Sequence, residues 1–143
     1  MKKPYQALIF DWDGTLADST SMIVQAVQQA FMENNFAMPS DSEASHIIGL
    51  ALPKAMQHLA PQANTDEIFA LSESYKRLFL NPNNQMRLFQ DAQALLPSLK
   101  PDYWLTVATG KSRRGLDRAL TEVGLDNGFF LATRTVDECA SKP

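Results

Sequence analysis

Apolar positions along this chain change period twice. Ala7-Leu8-Ile9-Phe10 is an unbroken apolar run that stops at Asp11, which predicts a short buried strand. From residue 18 to about 80 the spacing is helical. Asp18, Ser19 and Thr20 offer N-cap oxygens ahead of Ile23, Ala26, Val27, Ala30 and Phe31, which share one helix face. Ser40 and Glu43 have the spacing of a capping box, so a short second helix opens there and ends at Gly49. Pro53 opens a third helix through Ala55, Met56 and Leu59. A fourth, after Asn64, carries Ile68, Leu71, Tyr75, Leu78 and Phe79. Asn81-Pro82-Asn83-Asn84-Gln85 is rich in turn formers and ends this segment.

Strands and helices then alternate. Residues 90–99 read as a helix, and 103–108 as an aromatic and β-branched strand. Residues 112–123 read as an amphipathic helix closed by Gly124, and 129–132 as a second short strand. Strands alternating with helices imply an α/β fold with a parallel sheet. The division expected is a sheet domain of residues 1–17 and 82–143, with an all-helical domain of residues 18–81 inserted after the first strand.

Composition narrows the partners. The chain has 143 residues, 45% of them apolar, and a net charge of -3, which argues against nucleic acid or an anionic membrane. No apolar run approaches the ~18 residues of a membrane span. The start of the chain is too short in apolar residues, and too acidic, for a signal peptide. Cys139 is the single cysteine, so no intrachain disulfide forms and a cytoplasmic location is expected. Met22, Met32, Met38, Met56, Trp12 and Trp104 read as core or interface filler. His46 and His58 read as surface or packing histidines.

The chemistry lies in Asp11-Trp12-Asp13-Gly14-Thr15-Leu16. Two carboxylates stand two residues apart where the first strand ends, and a glycine turns the chain after them. A nucleophilic carboxylate beside an acid/base carboxylate suits phosphoryl transfer through an aspartyl-phosphate. The motif resembles the first motif of the haloacid-dehalogenase-like hydrolases, Asp-x-Asp-x-Thr at a strand end. That resemblance implies a Rossmann-like core with the helical insertion as its cap. The turn Ile48-Gly49-Leu50 and the insertion look most like the phosphoglycolate-phosphatase-like branch.

A second motif is Thr109-Gly110-Lys111-Ser112. It imitates the tail of a nucleotide-binding P-loop, but the glycine needed five residues before Gly110 is Leu105. The resemblance instead assigns Thr109 and Gly110 to the transferring phosphoryl group, with the following helix adding its N-terminal dipole. Lys111, Arg113 and Arg114 read as a solvated helix start rather than a second phosphate clamp, with Lys111 close enough to the motif to stay a candidate for one. The resemblance also makes Lys142, in Lys142-Pro143, the ammonium that neutralises nucleophile and phosphate. It implies Mg²⁺ held by the Asp11 carboxylate and the Asp13 carbonyl, and a small phosphorylated metabolite as partner.

A fourth acidic motif would help to hold Mg²⁺ in the resembled family. It does not occur before Pro143, and Asp137 and Glu138 follow no strand of the required kind. The sheet core is therefore expected to be incomplete at its C-terminal side. The reaction expected is Mg²⁺-dependent hydrolysis of a small phosphomonoester, phosphoglycolate-like or a phosphosugar. A phosphosugar mutase shares the first motif, and a non-catalytic fragment or interaction module is the reading from a different class. A phosphonate hydrolase would need a cap lysine, for which Lys54 and Lys76 are the candidates. The same missing segment leaves the first strand as an exposed apolar edge, so self-association is expected.

Overall fold

The structure is a computed structural model that describes residues 3–140. Its polypeptide divides into two compact units, Met1–Asp18 with Met86–Pro143, and Ser19–Gln85. The second boundary falls four residues beyond the one the turn-rich sequence suggests. Asn84 explains the difference: its amide N donates to the Asn81 carbonyl and its side chain to the Leu78 carbonyl, so the turn stays fastened to the helix before it.

The first unit is a parallel sheet in the order β1-β2-β3, formed by β1 (Ala7–Phe10), β2 (Trp104–Ala108) and β3 (Ala132–Arg134). Leu8 pairs with Leu105 and Phe10 with Val107, while Thr106 and Ala108 pair with Ala132 and Arg134. One face is packed, with Leu105 and Val107 buried. The opposite face carries Ile9, 74% exposed, and Trp104, 60% exposed. Trp104, Met32 and Met38 are therefore surface residues, whereas Trp12 and Met56 are buried as filler should be.

β3 starts three residues later than the aromatic run suggests. Phe129 and Phe130 pack edge to face at 5.1 Å, and the Lys100 ammonium sits 4.2 Å from the Phe129 ring centre. They lie between the turn that ends at Gly128 and the strand, with Phe130 buried, and ladder pairing begins only where Ala132 meets Thr106. The helix of this unit that follows β2 spans Arg113–Val123. Ser112 caps its start through a bond from the Gly115 amide, and Gly124 ends it at φ 77°, a backbone region that costs glycine little.

The second unit is helical. Its helices are α1 (Thr20–Glu33), α2 (Asp41–His46), α3 (Leu52–Leu59) and α4 (Thr65–Phe79). Capping boxes join Ser40 to Glu43 and Asn64 to Glu67, each pair exchanging backbone and side-chain hydrogen bonds. α2 stops at His46, three residues before Gly49, and Gly49 lies in the following turn at φ 97°. The buried faces meet in one core that includes Val27, Phe31, Met56, Ile68 and Leu71. His46 and His58 are exposed. Back in the sheet unit, α5 (Gln90–Leu99) precedes β2, the Arg113–Val123 helix is α6, and a 3-10 turn covers Val136–Glu138. No helix among the described residues is long and apolar enough to cross a membrane.

Candidate active site

β1 and β2 are adjacent and parallel, so the loops that leave their carboxyl ends leave on the same side of the sheet. Ligands of open α/β sheets bind at that side. Asp11 follows β1 directly and is exposed, and its Oδ1 accepts a hydrogen bond from the Trp12 amide at 2.7 Å. The next residues wind into a tight coil. The Trp12 carbonyl accepts from the amides of Thr15, Leu16 and Ala17 at 3.0–3.1 Å, and the Gly14 amide donates to the Ala17 carbonyl at 2.9 Å. Gly14 sits at φ 76°, which permits this reversal. The Asp18 amide donates to the Arg87 carbonyl and the Phe89 amide to the Leu16 carbonyl. The chain is thus clamped where it leaves the sheet unit and where it returns.

At the end of β2, Thr109 is buried and its amide donates to the Arg134 carbonyl at 3.0 Å. Its Oγ1 accepts from the Lys111 amide at 3.1 Å, which fixes the hydroxyl within the turn. Gly110 lies between them. Lys111 departs from its expected solvated place. Its Nζ is 3.2 Å from Asp13 Oδ2 and 3.5 Å from Oδ1, and both side chains are only 12% exposed. The Lys111 carbonyl in turn accepts from the Val136 amide at 3.0 Å.

Arg113 is also more than a solvated helix residue. Its guanidinium donates to Glu138, Asp117, the Thr133 hydroxyl and the Thr133 carbonyl, and its amide donates to the Asp137 carboxylate at 2.9 Å. Asp137 therefore occupies the first amide of α6, the end of the helix whose dipole the resemblance directs at the phosphoryl group. The Thr135 hydroxyl donates to both Asp137 and Glu138. Arg114, by contrast, is exposed as expected. Lys142 lies outside the described residues.

These bonds set the charges. The Thr135 hydroxyl, with help from the Arg113 amide, holds the Asp137 carboxyl below its ordinary range. The Arg113 guanidinium and then Thr135 do the same for Glu138. For Arg113 burial opposes the charge, but pairing with Asp117 and Glu138 outweighs it and raises the pKa. Because both acids are depressed, the stabilisation they provide is complete above ordinary carboxylate values and is lost as pH falls through the lowered ones. Hydrogen exchange should show the Arg113 amide protected at neutral pH and losing protection only as the pH falls below the ordinary carboxylate range. Equal protection of this amide in Asp137→Ala at neutral pH would show that the carboxylate does not hold this turn.

The sequence model of one family, described as haloacid dehalogenase-like hydrolase, matches residues 8–143. The chain belongs to that family. Solved structures with the same fold include a predicted phosphoglycolate phosphatase from Haemophilus somnus, with a TM-score of 0.82 at 22% identity. That match covers 96% of this chain and 65% of the other. A hydrolase from Pseudomonas syringae gives 0.81 at 24% identity, covering 96% and 63%. Among curated proteins, the tyrosine-protein kinase PtkA of Mycobacterium tuberculosis is 29% identical over 126 residues, 87% of this chain and 42% of the kinase. The chain thus spans under half the length of its curated relatives, and under two thirds of these solved chains. The parallel sheet with its helices is the Rossmann-type core of this family.

Metal donors can be weighed by their chemistry. The Asp11 carboxylate and the Asp13 carbonyl are hard oxygens of the kind Mg²⁺ takes. Among the described residues no group of three or more His, Cys, Asp or Glu could hold a metal ion. Mg²⁺ commonly combines one or two carboxylates with water and substrate phosphate, so this sparse set fits it chemically.

Proposed function

We propose that this protein hydrolyses a small phosphomonoester with Mg²⁺, through a phosphorylated Asp11. The observation that carries this reading is the placing of Asp11 and Asp13 after β1, beside the Thr109 turn after β2. Asp11 attacks the phosphorus, and Asp13 protonates the departing oxygen. Asp13 then takes a proton from the water that cleaves the aspartyl-phosphate. Thr109 donates its hydroxyl hydrogen to a phosphoryl oxygen, since its oxygen already accepts from Lys111. Gly110 lets the backbone approach, and Lys142 adds an ammonium. Mg²⁺, when bound by the Asp11 carboxylate and the Asp13 carbonyl, would screen the charge on nucleophile and phosphate.

The substrate class proposed is phosphoglycolate-like or a phosphosugar, read from the helical insertion and its Ile48-Gly49-Leu50 turn. The names of several solved relatives agree, the Haemophilus somnus protein among them. The helical unit corresponds to the cap of the resembled family, and the reaction takes place in the cytoplasm. Incubation with phosphoglycolate or p-nitrophenyl phosphate and Mg²⁺ should release inorganic phosphate. A labelled phosphoryl group that moves to another hydroxyl without phosphate release would instead indicate a transferase or mutase. The name of the mycobacterial relative makes a protein tyrosine one acceptor to include.

Two further outcomes follow from this reading. With so few donors among the described residues, calorimetry should find Mg²⁺ binding weaker than tens of micromolar and turnover low in this 143-residue chain. Tight binding would mean that a further donor exists. Among the described residues β1 pairs on one side only, and Ile9 on it is exposed. An edge strand can pair antiparallel with its own copy, so light scattering should show association that grows with concentration. A monomer at every concentration would overturn that expectation.

A further inference from the structure

Lys111 is the charged group that the phosphoryl-transfer reading leaves without a role. It is not on a solvated helix face. Its backbone is held at both ends, by the Thr109 hydroxyl oxygen and by the Val136 amide, and its ammonium lies against the Asp13 carboxylate. The lysine stem passes beside Gly115, where an added Cβ would lie 3.7 Å from Lys111 Cε. An ammonium is thus delivered to the acid/base carboxylate from the same turn that carries Thr109. A cation in that position faces two possible anions, the Asp13 carboxylate and a phosphoryl group on Thr109.

We propose that Lys111 is an anion-binding residue of this site, paired with Asp13 when the site is empty and with the phosphoryl oxygens when it is filled. This rests on the phosphoryl-transfer reading and deepens it. A dianionic tetrahedral group offers more charge and more acceptor oxygens than one carboxylate, so it competes successfully for a shared ammonium. The exchange ties the arrival of substrate to the freeing of the Asp13 oxygens, which then face the leaving group. Lys111 thereby adds a second ammonium to the one expected from Lys142.

Tungstate, a tetrahedral dianion, tests this without metal or turnover. Its affinity is measured by calorimetry for the unmutated chain, Lys111→Met, Asp13→Asn and the double variant, with circular dichroism to check folding. Lys111→Met should weaken tungstate binding by about tenfold or more. Asp13→Asn should tighten it by roughly fivefold to tenfold when Lys111 is present, because the competing carboxylate is gone, and by less than about twofold in the Lys111→Met background. Equal effects of Asp13→Asn in both backgrounds would overturn the exchange. Unchanged affinity in Lys111→Met would overturn the anion-binding role. Lys111→Gln, a neutral chain of similar reach, replaces Lys111→Met if the latter unfolds. In the unmutated chain, the Lys111 ammonium resonance should move on tungstate addition, and a resonance that stays fixed while tungstate binds overturns the proposal by itself. If the unmutated chain binds no tungstate, the phosphoryl site itself is wrong and this inference falls with it.

Discussion

Asp11→Asn should abolish phosphate release and leave the fold unchanged. The replacement is nearly isosteric, and its amide oxygen can still accept the Trp12 amide that Asp11 Oδ1 accepts at 2.7 Å. What it removes is the charged oxygen that attacks phosphorus, and without a nucleophile the two-step path has no first step. The expected loss is on the order of 10³-fold or more in kcat, with circular dichroism and melting temperature close to those of the unmutated chain. Acid-quenched chain incubated with labelled substrate should carry phosphate on Asp11, and the variant should carry none. A variant that retains turnover would reassign the nucleophile. Asp13→Asn makes the useful contrast: it keeps the nucleophile, so labelling should still occur, though more slowly without the general acid, while release of phosphate from the labelled chain slows as well.

Phe31→Ala should destabilise the helical unit by about 3–5 kcal/mol. Phe31 is 1% exposed at the end of α1, and its ring meets Phe36 edge to face at 5.9 Å. It belongs to a buried cluster that draws on all four helices of the unit, with Ala44, Met56 and Leu71 among its members. Truncation leaves a cavity that none of them can fill without moving a helix, so the transfer and cavity costs both apply. Hydrogen exchange read segment by segment should show the loss of protection in residues 19–85. Protection there equal to that of the unmutated chain would show that the core repacks around the gap.

Both expectations depend on how signals are written in the chain. The cap of α2 was legible because it is closed by residues three apart, Ser40 with Glu43, whereas Ser19, offered by the same local reading as a cap for α1, makes no side-chain cap bond there. Such contacts need nothing from the rest of the molecule. Local pattern also placed Asp11 and Asp13 at the end of β1, because a strand that stops at a carboxylate is visible within a few residues. The second strand, the helix after it and the stop at Gly124 were readable on the same ground.

What tertiary structure alone decided involves partners far apart in sequence. Phe129 and Phe130 look like strand residues, yet they pack against each other ahead of the strand, and β3 is Ala132–Arg134. Lys111 and Asp13 are separated by 98 positions, and nothing near either residue marks the other as its partner. Only the parallel pairing of β1 with β2 brings their loops to one end of the sheet. Arg113 looked solvated for the same reason, since Thr133, Asp137 and Glu138 reach it only after β3 has docked beside β2. The sequence by itself determined the kind of the main helices and strands, the cap of α2 and the carboxylates after β1, through contacts spanning a few residues. The strand register, and with it the cation beside Asp13, came from long-range pairing, whose energy is shared among positions too distant for any local pattern to record.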